Sequence, residues 1–179
     1  MMRKCFATLL ILIFVLSWIS GCANLDVKID NVCIVSNAVK YLQDEEVPDT
    51  GADRLTARLA KNEAEGMQFI VKPNQTISNV KMTVSELKDG QGNQFAAENV
   101  EAFRQYYIDT QPTSPEYESV SGMIPDALIP LAYEDLNTVN IEAGKNQGFW
   151  ITVTALKDQP AGVYTGSVTL TNDGGATAI

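Results

Sequence analysis

From Phe149 to Thr154 the chain alternates strictly, with Phe149, Ile151 and Val153 on one parity and Trp150, Thr152 and Thr154 on the other. Successive side chains of an extended strand point to opposite faces. A period of two therefore demands a sheet with one apolar face and one more polar face. The same period returns in short pieces. Leu55, Ala57 and Leu59 alternate with Thr56, Arg58 and Ala60. Val80, Met82 and Val84 alternate with Lys81, Thr83 and Ser85, and Tyr164, Gly166, Val168 and Leu170 line one face of a last run. Residues 27–36 read as a strand whose parity shifts at Asp30-Asn31, which predicts a bulge or two short strands. Met67 to Val71 and Asn137 to Ile141 are further strand candidates.

Turn chemistry separates these runs. Residues 37–53 carry Asp44-Glu45-Glu46, Pro48 and Gly51 and read as a solvated loop. Asp89-Gly90-Gln91-Gly92-Asn93 and Pro160-Ala161-Gly162 are turns. Residues 96–108 fit either a helical stripe (Ala96, Val100, Phe103, Tyr107) or a strand (Val100, Ala102, Tyr106, Ile108) that carries Arg104 inward; the Tyr-Tyr-Ile ending favours the strand. Pro112, Pro115, Gly122 and Pro125 mark 109–126 as a long irregular loop, followed by a short apolar run from Ala127 to Leu131. The pattern holds about eight short strands at sandwich-like spacing and no confident helix. It predicts an all-β chain: an antiparallel two-sheet β-sandwich, immunoglobulin-like.

The N-terminus stands outside that domain. Arg3 and Lys4 precede an apolar run from Cys5 to Ile19, then Ser20-Gly21-Cys22. The run falls short of the ~20 residues that a spanning helix needs. Small residues before a cysteine, directly after such a run, read as a bacterial lipoprotein signal over 1–21. Lipidation at Cys22 would leave 22–179 as the mature sandwich. Two or more acyl chains hold a protein stably on a membrane. The expected location is the bacterial cell envelope, membrane-anchored, periplasmic or surface-exposed, with the membrane as a partner through the lipid.

The formal charge is −9, and the leader holds two of the cations, so the remainder is more acidic still. Such a chain repels phosphate backbones, and nucleic acid is not an expected partner. With no histidine, His-based triads and His metal sites are excluded. No metal site and no cofactor is expected. Cys33 has no mature partner for a disulfide and lies in the apolar run Val32-Cys33-Ile34-Val35, which predicts a buried free thiol.

Four blocks in order carry a resemblance: Ala60-Lys61-Asn62-Glu63-Ala64-Glu65-Gly66-Met67-Gln68-Phe69, Gly122-Met123-Ile124-Pro125-Asp126-Ala127-Leu128-Ile129-Pro130-Leu131, Asn146-Gln147-Gly148-Phe149-Trp150-Ile151-Thr152-Val153, and Pro160-Ala161-Gly162-Val163-Tyr164-Thr165-Gly166. Together they resemble the N-terminal β-sandwich domain of glycoside hydrolase family 123 and related bacterial lipoproteins. The resemblance implies a following (β/α) barrel with an adjacent Asp–Glu pair. That barrel would cleave N-acetylgalactosaminide bonds with help from the substrate's acetamido group. No residue here matches that pair, so no catalytic residue is carried over, and the absent C-terminal catalytic domain becomes an expected partner. Asn172-Asp173-Gly174-Gly175 is a hairpin signal followed by only Ala176-Thr177-Ala178-Ile179. A return strand of ordinary length is ~5–6 residues. The expectation is a truncated chain whose strand at 163–170 exposes an edge.

Three sets of residues invite a functional reading. Glu63 and Glu65 share one face of an extended chain at a separation of about 6.6 Å, near the lower limit for inverting glycosidases; Gly66 beside them favours a structural turn. Asp126, between two prolines, can face a ligand or a following domain, or cap a turn; capping is the expectation. Tyr106, Tyr107, Tyr117, Tyr133, Trp150 and Tyr164 invite sugar stacking. Trp150 is the sharpest candidate for a ligand platform, but packing in the sandwich core, opposite Gly166, or under a following domain is the expectation. Asn74-Gln75-Thr76 reads as a strand-end turn. Two functions stay open: the non-catalytic N-terminal module of a lipid-anchored glycoside hydrolase, or a stand-alone cell-surface glycan-binding or adhesion module.

Overall fold

The computed structural model describes residues 29–111 and 120–179. The leader, Cys22 and Tyr117 lie outside them. Among the described residues nine strands form: β1 (Val32–Val35), β2 (Glu63–Val71), β3 (Ile77–Val84), β4 (Val100–Thr110), β5 (Gly122–Pro130), β6 (Thr138–Ile141), β7 (Gln147–Ala155), β8 (Val168–Asn172) and β9 (Gly175–Ala178). They build two antiparallel sheets, ordered β1-β2-β7-β4-β5 and β6-β3-β8-β9. The only helical pieces among the described residues are the 3-10 turns Ala97–Asn99 and Glu134–Leu136. The result is a β-sandwich.

The alternation does the work expected of it. Phe149, Ile151, Val153 and Ala155 of β7 are buried, and with Phe69 and Val71 of β2 they meet Ile77, Val80 and Met82 of β3, Ile141 of β6, and Val168 and Leu170 of β8. Phe69 and Phe149 are register partners and stack with ring centres 5.3 Å apart. Fully burying each such side chain contributes ~1.5–3 kcal/mol. Residues 96–108 resolve as a 3-10 turn leading into β4, with Val100 and Ala102 packed on this core.

Several expectations need correcting. Of the expected strand at 27–36, the described residues 29–36 form a strand only at β1. The parity shift is a left-handed kink at Asn31 (φ 51°), before which Ile29 drops its side chain into the core. Residues 55–60 are not a strand: their exposure alternates, and Leu55 and Leu59 touch the core, but no ladder forms. Side-chain alternation reports an extended chain over an apolar surface; a strand also needs a neighbouring backbone to bond. The supposed loop 109–126 is entered from both sides, by β4 to Thr110 and by β5 from Gly122. Pro125 and Pro130 fit there because β5 is an edge strand, where a missing N–H costs no ladder bond.

The last run begins as a strand only at Val168. Thr165 makes an isolated bridge to Lys88, and Gly166 lies against Leu87 and Ser85. The C-terminal hairpin does return. β9 pairs with β8 from Asn172↔Gly175 to Thr169↔Ala178, and Ile179 and Val168 exchange both main-chain hydrogen bonds. β8 therefore lies between β3 and β9, and the expected exposed edge at β8 is overturned. Four returning residues suffice because Ile179 also packs against the core.

Candidate functional site

The five-stranded sheet also covers part of its second face. Val35 and Cys33 of β1 and Ile70 of β2 pack there with Tyr41 and Val47 of the 37–53 loop. Cys33 is only half-buried, not fully as expected; burial and Asp49 push its thiol up while Lys72 pulls it down.

Beside this small cluster the covering is made of amides. The buried Gln68 donates to the main-chain oxygens of Ser36 and Val39, both at 3.1 Å, and accepts from Gln105 Nε2 at 2.6 Å. Gln147 Nε2 donates to the carbonyls of Gln105 and Gly148, and the fully buried Asn146 donates to Leu42 and Glu45. The Gln68 and Asn146 bonds hold the loop on the sheet, while those of Gln147 stay between β7 and β4. Gly148 is required beneath them: a Cβ there would collide with the Gln105 amide. Sequence reasoning did not single out this set. The available signals were glutamines inside apolar strands and glycines in strand interiors, which mark close approach.

Tyr107 is buried beside the amides, and its hydroxyl has no hydrogen-bond partner among the described residues. Burial pushes its phenol well above the usual range, with the Gly148 backbone offsetting a little.

Trp150 lies on this outer face and belongs to neither apolar cluster. It is partly buried, with its indole laid across Gly66, where a Cβ would intrude into the ring. Its Nε1 donates to Thr152 Oγ1 at 3.1 Å. The expected apposition to Gly166 is corrected to Gly66. Gln68 and Phe103 are its register partners on β2 and β4.

Asp126 stands at the β4–β5 bulge. It caps no turn; its Oδ1 accepts from Lys40 Nζ at 2.8 Å, with both side chains about three-fifths exposed. The reason is the strand that replaced the loop: there is no turn N–H for the carboxylate to reach. An open cleft of about 650 Å³ lies here, lined by Lys40, Glu45, Ile108, Val120, Ile124 and Asp126 among others. Glu63 and Glu65 lie on β2, away from it. Glu63 Oε2 accepts the Ala60 N–H at 2.5 Å, closing a turn through Asn62 (φ 62°).

The other tyrosines are scattered. Tyr106 is half exposed under the Arg104 guanidinium, 5.8 Å from its ring centre, and Tyr133 is exposed. Tyr164 packs edge-on against Phe95 and donates to the Pro160 carbonyl at 2.8 Å. No group of three potential metal ligands occurs among the described residues.

The model of the glycoside hydrolase 123 N-terminal domain matches residues 34–172. Among solved structures, a family 123 glycoside hydrolase from Clostridium perfringens, described for glycolipid glycan hydrolysis, matches with a TM-score of 0.63 and 17% identity. The match covers 83% of this chain and 25% of that one, so this chain spans about a quarter of that protein's length. A comparison with curated proteins finds no match.

Proposed function

This chain belongs to the glycoside hydrolase 123 N-terminal domain family, and from that premise we propose that it is the non-catalytic β-sandwich of a lipid-anchored glycoside hydrolase. The observation that carries the reading is the extent of the family match, which runs from β1 to the end of β8. The parent would hydrolyse N-acetylgalactosaminide or related bonds through a following barrel. Cys22 would carry the lipid, and the sandwich would space the barrel from the membrane. The carboxylates support a structural part for this segment. Glu63 closes a turn and Asp126 is paired with Lys40, so neither stands ready as one of two facing acids. On this reading Asp126 and its cleft would face the following domain.

The test has separate arms. The purified chain should release no nitrophenol from 4-nitrophenyl N-acetyl-β-galactosaminide; turnover that disappears in a Glu63→Gln/Glu65→Gln double variant would overturn the reading. Palmitate labelling in a bacterial host should mark the chain and vanish with Cys22→Ser. The coding sequence beyond codon 179 should encode a barrel with an adjacent Asp–Glu pair.

A further inference from the structure

We propose that Trp150, on its Gly66 floor, is a binding platform for the apolar face of a neutral pyranose. The indole is held as such a platform requires. Gly66, with no Cβ, leaves room for the Nε1–Cζ2 edge of the ring close to the β2 backbone, and the Thr152 hydroxyl fixes its rotation through Nε1. An aromatic ring already immobilised loses little entropy when a small ligand stacks on it. Neither apolar cluster includes the ring.

Its surroundings suit a sugar. Phe103, partly buried and also outside both clusters, is the register partner on β4 and widens the strip. Around it stand the hydroxyl of Thr152, the exposed Glu101 carboxylate opposite Thr152, and Asn37, whose amide bonds the Gly66 carbonyl at 2.7 Å. A pyranose presents this pattern in complement: C–H groups on one face, hydroxyls around the rim. Two half-buried rings rimmed by polar groups make a small patch. A domain interface covers roughly 600–1,500 Å². The carboxylate and the acidic chain disfavour anionic sugars. The proposal takes its ligand class from the family reading above, but its test does not depend on hydrolysis.

The chain holds two tryptophans, Trp18 and Trp150, so Trp18→Phe leaves Trp150 as the reporter. Titration with methyl β-galactopyranoside, methyl β-glucopyranoside and N-acetylgalactosamine should change its fluorescence saturably for at least one sugar, and glucuronate should not. Calorimetry should show binding lost in Trp150→Ala and about tenfold weaker in Gly66→Ala. Thr152→Val, which frees the indole without touching the core, should weaken it a few-fold. The proposal fails if no neutral sugar gives a saturable response. It fails equally if folded Trp150→Ala binds like the parent, or if Trp150 drives only self-association in sedimentation. Glycoside turnover by the chain would instead strike at the non-catalytic reading and leave the platform standing.

Discussion

The two faces of the five-stranded sheet are built from the same strands by different chemistry. On the inner face Phe69, Phe149, Ile151 and Val153 meet the second sheet through apolar contact alone. On the outer face, Gln68 of β2 and Gln105 of β4 bury their amides and Trp150 of β7 sets its indole over a glycine. Apolar burial is non-directional and tolerates exchange of similar volumes. An amide network is directional, and a half-satisfied one costs more than none. The inner face should therefore carry stability in bulk, and the outer face should carry the placement of the 37–53 loop.

The largest effect should come from the inner face. Phe149→Ala removes one ring of the stacked pair and leaves a cavity, at a cost of about 3–5 kcal/mol in urea denaturation. A loss below ~1 kcal/mol would mean that the two sheets are less tightly packed than their burial implies.

Next is Gly148→Ala, one methyl group on the outer face. It must displace the Gln105 amide and should cost ~1–3 kcal/mol, with faster amide exchange over residues 36–45. Unchanged exchange in that loop would break the link between the glycine and the loop.

The amides themselves give a sharper contrast. Gln68→Leu alone should cost about 1–3 kcal/mol by orphaning the Val39 carbonyl and the Gln105 amide and taking one of two donors from the Ser36 carbonyl. Adding Gln105→Leu should recover part of the loss, seen as a non-zero coupling in a double-mutant cycle. Simple additivity would remove the case for one network.

The smallest effect is a slope. The Tyr107 phenol is pushed up in the folded state, whereas in the unfolded chain it ionises near pH 10. Above that pH the folded state holds the extra proton, so stability from this group is complete below pH ~10 and falls as the pH rises further. Tyr107→Phe should change little at neutral pH, where it removes an unpartnered hydroxyl, and should flatten the alkaline decline. An equally steep decline in the variant would assign it to other groups.

How much of this was legible can be followed residue by residue. The alternation at Phe149–Thr154 and Val80–Val84 specifies strands and their inner faces, because a period of two is a property of the local chain. Leu55–Leu59 shows the same period without a ladder, because hydrogen-bond partners come from elsewhere. Pro125 and Pro130 read as loop signals until β5 is known to be an edge. Gly66 and Gly148 signal a close approach in the sequence, but not what approaches them.

What the sequence by itself determined is therefore the class of structure: short amphipathic strands, acidic turns, no histidine chemistry, and a sandwich as the way to bury one face of each strand. Tertiary structure alone decided what lies on the other face. Lys40 meets Asp126 across 86 positions of sequence and Gln105 meets Gln68 across 37. Such pairings depend on strand order and register, which set which backbones are neighbours. A local pattern of polarity can say that a face is covered or open, but not by which residue.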